Sequence, residues 1–226
     1  QTLINGTDVP QNVVYTVTPA GDCTGAPFTV TVTVNPMPAI GNKTYTICSD
    51  DQFAYAPVAS DVVPAGTTYT WTVVDNTNVD GDLPQTSAST TMSQTLTNNS
   101  ATAQTVTYTV TPEADGSVGD NFTVTVTVNP KAKIANKTYT RCTGEPFTLD
   151  VTGDRVPTGT TYTWIVAANA NVSGQSTQAS ATSTMTQTLT NNTNVAQNVV
   201  YTVTPKSGDC VGDDFTVTVT VNPKAK

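Results

Sequence analysis

The run Phe122-Thr123-Val124-Thr125-Val126-Thr127-Val128-Asn129-Pro130 decides the fold. Its alternation has a period of two, so Phe122, Val124, Val126 and Val128 share one face of an extended strand and the threonines share the other. The same residue types recur from Phe28 to Pro36 and from Phe215 to Pro223. Working outward, Asn42-Lys43-Thr44-Tyr45-Thr46 returns 94 residues later as Asn136-Lys137-Thr138-Tyr139-Thr140. Thr68-Tyr69-Thr70-Trp71 returns after 93 residues as Thr161-Tyr162-Thr163-Trp164, as does Gln94-Thr95-Leu96-Thr97-Asn98-Asn99 at Gln187 to Asn192. This period lies outside the roughly 20–45 residues of solenoid repeats and suits one sandwich per repeat. The chain therefore reads as the last part of one repeat, residues 1–36, followed by two whole ones, 37–130 and 131–226.

Composition points the same way. Of 226 residues, 49 are threonine and 31 valine, and β-branched side chains suit a pleated strand better than a helix. The chain has no histidine, which removes Ser-His-Asp and Cys-His nucleophile systems, imidazole bases and histidine-ligated zinc. A net charge of -8 with nine Lys+Arg makes nucleic acid a poor partner. No apolar run approaches the ~20 residues of a membrane span, so no membrane insertion is expected. No charged-then-apolar signal segment opens the chain, which reads as a mature or excised extracellular piece. The only glutamates, Glu113 and Glu145, fall in turns of different repeats and form no hydrolytic pair. No catalytic residue and no cofactor are expected.

In the last repeat the pattern predicts strands near 134–141, 146–152, 160–167, 182–190, 197–205 and 214–222, with another around 171–179. Turn signals at Gly144-Glu145-Pro146, Pro157-Thr158-Gly159 and Asn191-Asn192-Thr193-Asn194 separate them. Short strands at this spacing predict an all-β, immunoglobulin-like two-sheet sandwich. Its core is expected to include Phe122, Phe215, Trp71 and Trp164, the tryptophans as core plugs rather than sugar platforms.

The string Val63-Pro64-Ala65-Gly66-Thr67-Thr68-Tyr69-Thr70-Trp71-Thr72-Val73, the Gln-Thr-Leu-Thr-Asn-Asn element, and the Tyr-Thr-Val-Thr-Pro segment leading into Cys-x-Gly-x-x-Phe-Thr-Val-Thr-Val-Thr-Val-Asn-Pro together resemble the PKD-like tandem repeats of Bacteroidota. The resemblance covers essentially the whole chain. It implies PKD-like sandwiches in an elongated array, of the kind found in giant surface adhesins and proteins linked to gliding motility and type IX secretion. It implies no catalytic or ligand-binding residue. The expected role is a semi-rigid stalk or filament segment at the bacterial surface. The other reading is a module that binds a glycan or a protein through loops at one end of the sandwich.

Four cysteines suggest an oxidising, extracellular compartment. Cys48 and Cys142 follow the first strand of a repeat; Cys23 and Cys210 lie in the turn before the last strand, where the middle repeat has Ser117. A Cys142–Cys210 bond is the simplest count. In an immunoglobulin topology, however, those turns lie at opposite ends of a sandwich roughly 25–30 Å long, against a Cα limit of ~7 Å for a disulfide. The same topology favours Cys48–Cys210 between repeats, with Cys23 and Cys142 pairing outside the fragment. Free buried thiols remain the third reading.

The best cation candidate is Asp80-Gly81-Asp82, yet the last repeat has Val172-Ser173-Gly174 in that area, so solvated turn residues are expected rather than a metal site. Lys43 and Lys137 recur, but with no acid recurring at an inward strand position a self-formed Lys–Asn cross-link is not expected. Asn98 and Asn191 are among several residues that open N-x-Ser/Thr sequons, which matter only in a secretory system that reads them. Asn35-Pro36-Met37-Pro38 and Asn129-Pro130-Lys131-Ala132-Lys133 are short, proline-stiffened linkers. The expected partners are neighbouring identical repeats, and the short first segment raises strand addition by other copies of the chain in a fibre.

Overall fold

A computed structural model describes residues 1–224 and contains strands and turns only. Two strands come first, β1 (Gln11–Val17) and β2 (Phe28–Val34), paired antiparallel. The next body comprises β3 (Lys43–Cys48), β4 (Asp51–Ala54), β5 (Thr68–Val73), β6 (Val79–Asp80), β7 (Gln85–Ser89), β8 (Ser93–Asn98), β9 (Gln104–Ala114), β10 (Ser117–Val118) and β11 (Phe122–Asn129). One sheet runs β3-β11-β9-β5-β7, with β10 hairpinned onto β9; the facing sheet runs β4-β8-β6.

The last body repeats this plan with β12 (Lys137–Cys142), β13 (Pro146–Thr148), β14 (Thr161–Ala167), β15 (Val172–Ser173), β16 (Gln178–Thr182), β17 (Thr186–Thr188), β18 (Thr190–Asn191), β19 (Gln197–Ser207), β20 (Cys210–Val211) and β21 (Phe215–Asn222). Its large sheet runs β12-β21-β19-β14-β16, and its facing layer is split into β13-β17 and β15-β18. The expected strand at 182–190 takes in the last residue of β16 and two short pieces, β17 and β18. β16 pairs with β14 in the large sheet, and the chain then crosses to the facing layer as β17 and β18. Period-two alternation does not reveal such a switch of sheets, because both pieces keep it.

The first strand of each body pairs parallel with the last: Lys43 through Cys48 lie opposite Val124 through Asn129, and Lys137 through Cys142 opposite Val217 through Asn222. The zigzag faces sort as the pattern requires. Phe122, Val124, Val126 and Val128 are buried, as are Phe215, Val217, Val219 and Val221. Trp71 and Trp164 join the two separate cores, each indole N–H donating to a backbone carbonyl, of Leu83 and Ser176 respectively. Burying side chains of this size stabilises by roughly 1.5–3 kcal/mol each before entropy is counted.

β1 and β2 carry the register of the later hairpins. Val13, Tyr15 and Val17 face Val32, Val30 and Phe28, as Val106, Tyr108 and Val110 face Val126, Val124 and Phe122. Residues 1–36 hold two strands, and their apolar face is exposed: Phe28 is 52% exposed where Phe122 is 2%.

Candidate functional site

The residues of interest gather where the two complete sandwiches meet. Cys48 ends β3, held beside the end of β11 by the parallel pairing, and the following Ser49 amide donates to the Asn129 carbonyl. Cys210 opens β20 at the tip of the hairpin after β19, which closes through the Gly212 N–H to the Pro205 carbonyl. The two are joined by a disulfide with Cα atoms 5.5 Å apart. Cys142 and Cys210 are not joined, and Cys142 is exposed, as is Cys23. The free thiols are thus on the surface, which disposes of the reading that they are buried.

The linker is packed rather than loose. Ala132 and Ile134 are buried in the core of the second sandwich, and Lys133 pairs with Arg155 through two backbone hydrogen bonds. An Arg155 Nη1–H donates to the Asn99 side-chain oxygen of the first sandwich at 3.4 Å. The linker also presses on the hairpin: a Cβ added to Gly212 would lie 2.5 Å from the Ala132 carbonyl oxygen, and one at Gly119 would lie 2.2 Å from that of Pro38.

Near the Asn98 and Asn191 sequons, the structure shows what the sequence reading missed. Asn98 is fully buried; its amide donates to the carbonyls of Thr102 and Val128, and its oxygen accepts from the Ser100 N–H and hydroxyl. Asn191 does the same with Val195, Val221 and Thr193. These side chains tie the β8 and β18 turns to the last strand of their sandwich, and they are not presented for modification. The sequence signal was there: Asn-Asn followed by Ser or Thr recurs at the same place in both repeats.

Asp80 and Asp82 are separated in role. Asp80 is exposed and accepts from the Asn99 side-chain amide; Asp82 is buried and accepts from the Asn76 backbone N–H at 2.9 Å. In the second sandwich Gln175 takes the place of Asp82 and accepts from the Asn169 N–H at 3.1 Å. A neutral side chain serves equally, so the bond fixes a loop and does not call for an anionic ligand. Among the described residues no three Asp, Glu or Cys side chains cluster as metal ligands do. Gly81, between the two aspartates, has φ +93°, and a Cβ there would lie 2.2 Å from the Thr95 carbonyl oxygen.

Lys43 does meet an acid, Asp61, at 2.8 Å, and Lys137 meets Asp154 at 2.5 Å. These acids sit in loops, outside the inward strand positions where the sequence reading sought them; the recurring clue is Asp61-Val62-Val63-Pro64 against Asp154-Arg155-Val156-Pro157. The pairs hold the loop against the first strand of each sandwich. The Asp61 carboxyl is opposed by burial, yet the Lys43 ammonium and the Val58 and Gly41 amides hold it below the ordinary carboxylate range. In the core, burial pushes the Tyr201 hydroxyl up to about 12 and that of Tyr108 higher still. No helix is long and apolar enough to cross a membrane among the described residues.

A family profile described as "PKD-like domain" matches residues 1–38, 45–132 and 136–225. A search of curated proteins returns no match. Similar solved structures include an I-band fragment of titin, at 9% identity and TM-score 0.33, covering 88% of this chain and 70% of that one. DIP-gamma IG1+IG2 is 11% identical, with TM-score 0.35 and coverage of 84% and 99%. Human mucin-like protocadherin EC1-2 is 13% identical, with TM-score 0.30 and coverage of 83% and 98%.

Proposed function

This chain belongs to the PKD-like domain family, and from that premise we propose that it is a spacer: a semi-rigid segment of the extracellular stalk of a bacterial surface adhesin, with sandwiches at 37–130 and 131–226 that set distance and perform no chemistry. The observation that carries this reading is the Cys48–Cys210 disulfide. A covalent tie from the end of one sandwich to a hairpin of the next restricts the angles at their junction, which a chain built for reach requires. The buried linker residues Ala132 and Ile134 support the same reading, because a linker packed into a core does not act as loose string. So does the parallel pairing of β3 with β11, by which the backbone enters a sandwich at one end and leaves at the other.

A disulfide fits an oxidising setting outside the cell. The resemblance to Bacteroidota repeats extends the proposal to surface proteins of the gliding and type IX secretion kind. Small-angle scattering tests the role. The expected particle is elongated, lengthening by roughly 30 Å for each added sandwich; a compact globule would overturn the proposal.

A further inference from the structure

Lys133 and Arg155 stand opposite each other on the short antiparallel bridge that joins the linker to the second sandwich, with two backbone hydrogen bonds between them. Residues directly opposed in this way carry their side chains on the same side and close together, and like charges there repel. The first sandwich has the same bridge at the same place, between Ala39 and Val62. The frame therefore closes without charge, and the two cations of the second sandwich are an addition that the fold does not require.

Two further observations point to a use for them. The Arg155 Nε–H is buried and has no acceptor, and the Nη1–H reaches only the Asn99 side-chain oxygen at 3.4 Å. A charged donor left in that state costs free energy and is ready to swing onto a better acceptor. The guanidinium also forms part of the wall of an open concavity of about 430 Å³ between the two complete sandwiches, with Asn99 from the first and Lys133, Ile134 and Asp154 among the residues from the second. Asp154 does not cancel the positive charge, because its carboxylate is taken by the Lys137 ammonium and the Ala135 N–H. Asp80, which accepts from the Asn99 amide, is not part of the wall. In a chain of net charge -8 with nine Lys+Arg, two cations without carboxylate partners thus share one hollow.

We propose that this concavity is an oxyanion site, which holds a phosphate or sulfate group between the Arg155 guanidinium and the Lys133 ammonium at the junction of the two sandwiches. A guanidinium offers parallel N–H donors that match two oxygens of such a group, and the ammonium adds a point charge. The occupant relieves the repulsion between the two cations and gives the unpaired Nε–H its acceptor. The group can be a free ion or an ester on a polymer, since both present the same charged oxygens. The spacer reading makes no use of this site and does not depend on it.

The test compares the full chain with K133A/R155V, which gives the second sandwich the neutral pair that the first already carries. Both proteins are titrated with inorganic phosphate against sodium chloride of matched ionic strength, and then with dextran sulfate against uncharged dextran. NMR follows the Arg155 Nε–H in the parent and the Asn99 signals in both. In the parent these signals are expected to shift saturably, with binding roughly tenfold weaker or more in the variant. Saturation with phosphate identifies a free ion; saturation with dextran sulfate alone identifies a polymer-borne group. Shifts no larger than those in chloride and uncharged dextran, or the same binding curves in the variant, would overturn the proposal. Removing both charges removes their repulsion, so in chloride the variant is expected to melt no lower than the parent. A drop of its melting temperature would show that the cations serve the fold and would overturn the proposal too. Scattering reads particle length whatever these titrations give, so the site and the spacer role can fail separately.

Discussion

Cys48 and Cys210 are separated by 162 residues of sequence and by 5.5 Å between Cα atoms. The bond closes a loop holding most of both sandwiches, and the chain-entropy account assigns about 5 kcal/mol to a loop of that size. Each sandwich has its own core, so the tie acts mainly on the junction and only in part on folding. Cys210→Ser is expected to lower the unfolding midpoint by a few degrees and to broaden the distance distribution between labels placed one on each sandwich. A distribution as narrow as in the oxidised parent would show that the linker alone sets the junction.

Acid should act on the first sandwich through Asp61. Its folded carboxyl lies below the ordinary range, so the native state takes up this proton less readily than the unfolded chain. The resulting stability is complete above the unfolded value of about 4 and is lost as pH falls through the folded value. Denaturation midpoints followed from neutral pH into acid should drop more steeply for the parent than for D61N. Parallel slopes would count against the Lys43–Asp61 pair as the cause.

Two glycines with similar backbone angles should respond differently to alanine. Gly66 has φ +81° and open space around the added Cβ, so Gly66→Ala is expected to cost about 1 kcal/mol, the ordinary penalty of a left-handed residue. Gly81 has φ +93° and a backbone oxygen 2.2 Å from that Cβ, so the β6–β8 pairing must shift as well. Gly81→Ala is expected to cost at least twice as much in chemical denaturation, and equal losses would refute the crowding argument.

Asn191→Ala removes the amide that donates to the carbonyls of Val195 and Val221; the Val195 carbonyl keeps the Thr193 hydroxyl, but the buried Val221 carbonyl loses its side-chain donor. A loss of about 2–3 kcal/mol is expected, against no more than a few tenths for Asn192→Ala on the exposed neighbour. Thermal unfolding of the two variants side by side decides this.

The legible part of the fold was the part written in alternation. Phe122 to Val128 and Phe215 to Val221 announce inward and outward faces directly, and tyrosine and tryptophan at Thr-Tyr-Thr-Trp mark a second inward strand. Three things were not legible, each for a physical reason. The switch of sheets between Thr182 and Thr186 leaves the period intact. The Asp61 and Asp154 partners reach their lysines from loops, where no periodicity exists to point a side chain. The role of Asn98 and Asn191 depends on carbonyls of Val128 and Val221, 30 residues further along, which only the closed sandwich brings near. For the cysteines the sequence admitted three readings, and topology is what separates them: the structure contains Cys48–Cys210 and leaves Cys142 and Cys23 exposed.

The parallel union of β3 with β11 has a mechanical consequence. Tension applied to the two ends of a sandwich draws these strands in opposite directions along their length, so the six register pairs from Lys43–Val124 to Cys48–Asn129 are sheared together. An antiparallel hairpin tugged at its open end would unzip one pair at a time; here no pair can yield until all do. β12 and β21 repeat the device, so each sandwich resists stretching most strongly along the direction in which the polypeptide itself runs.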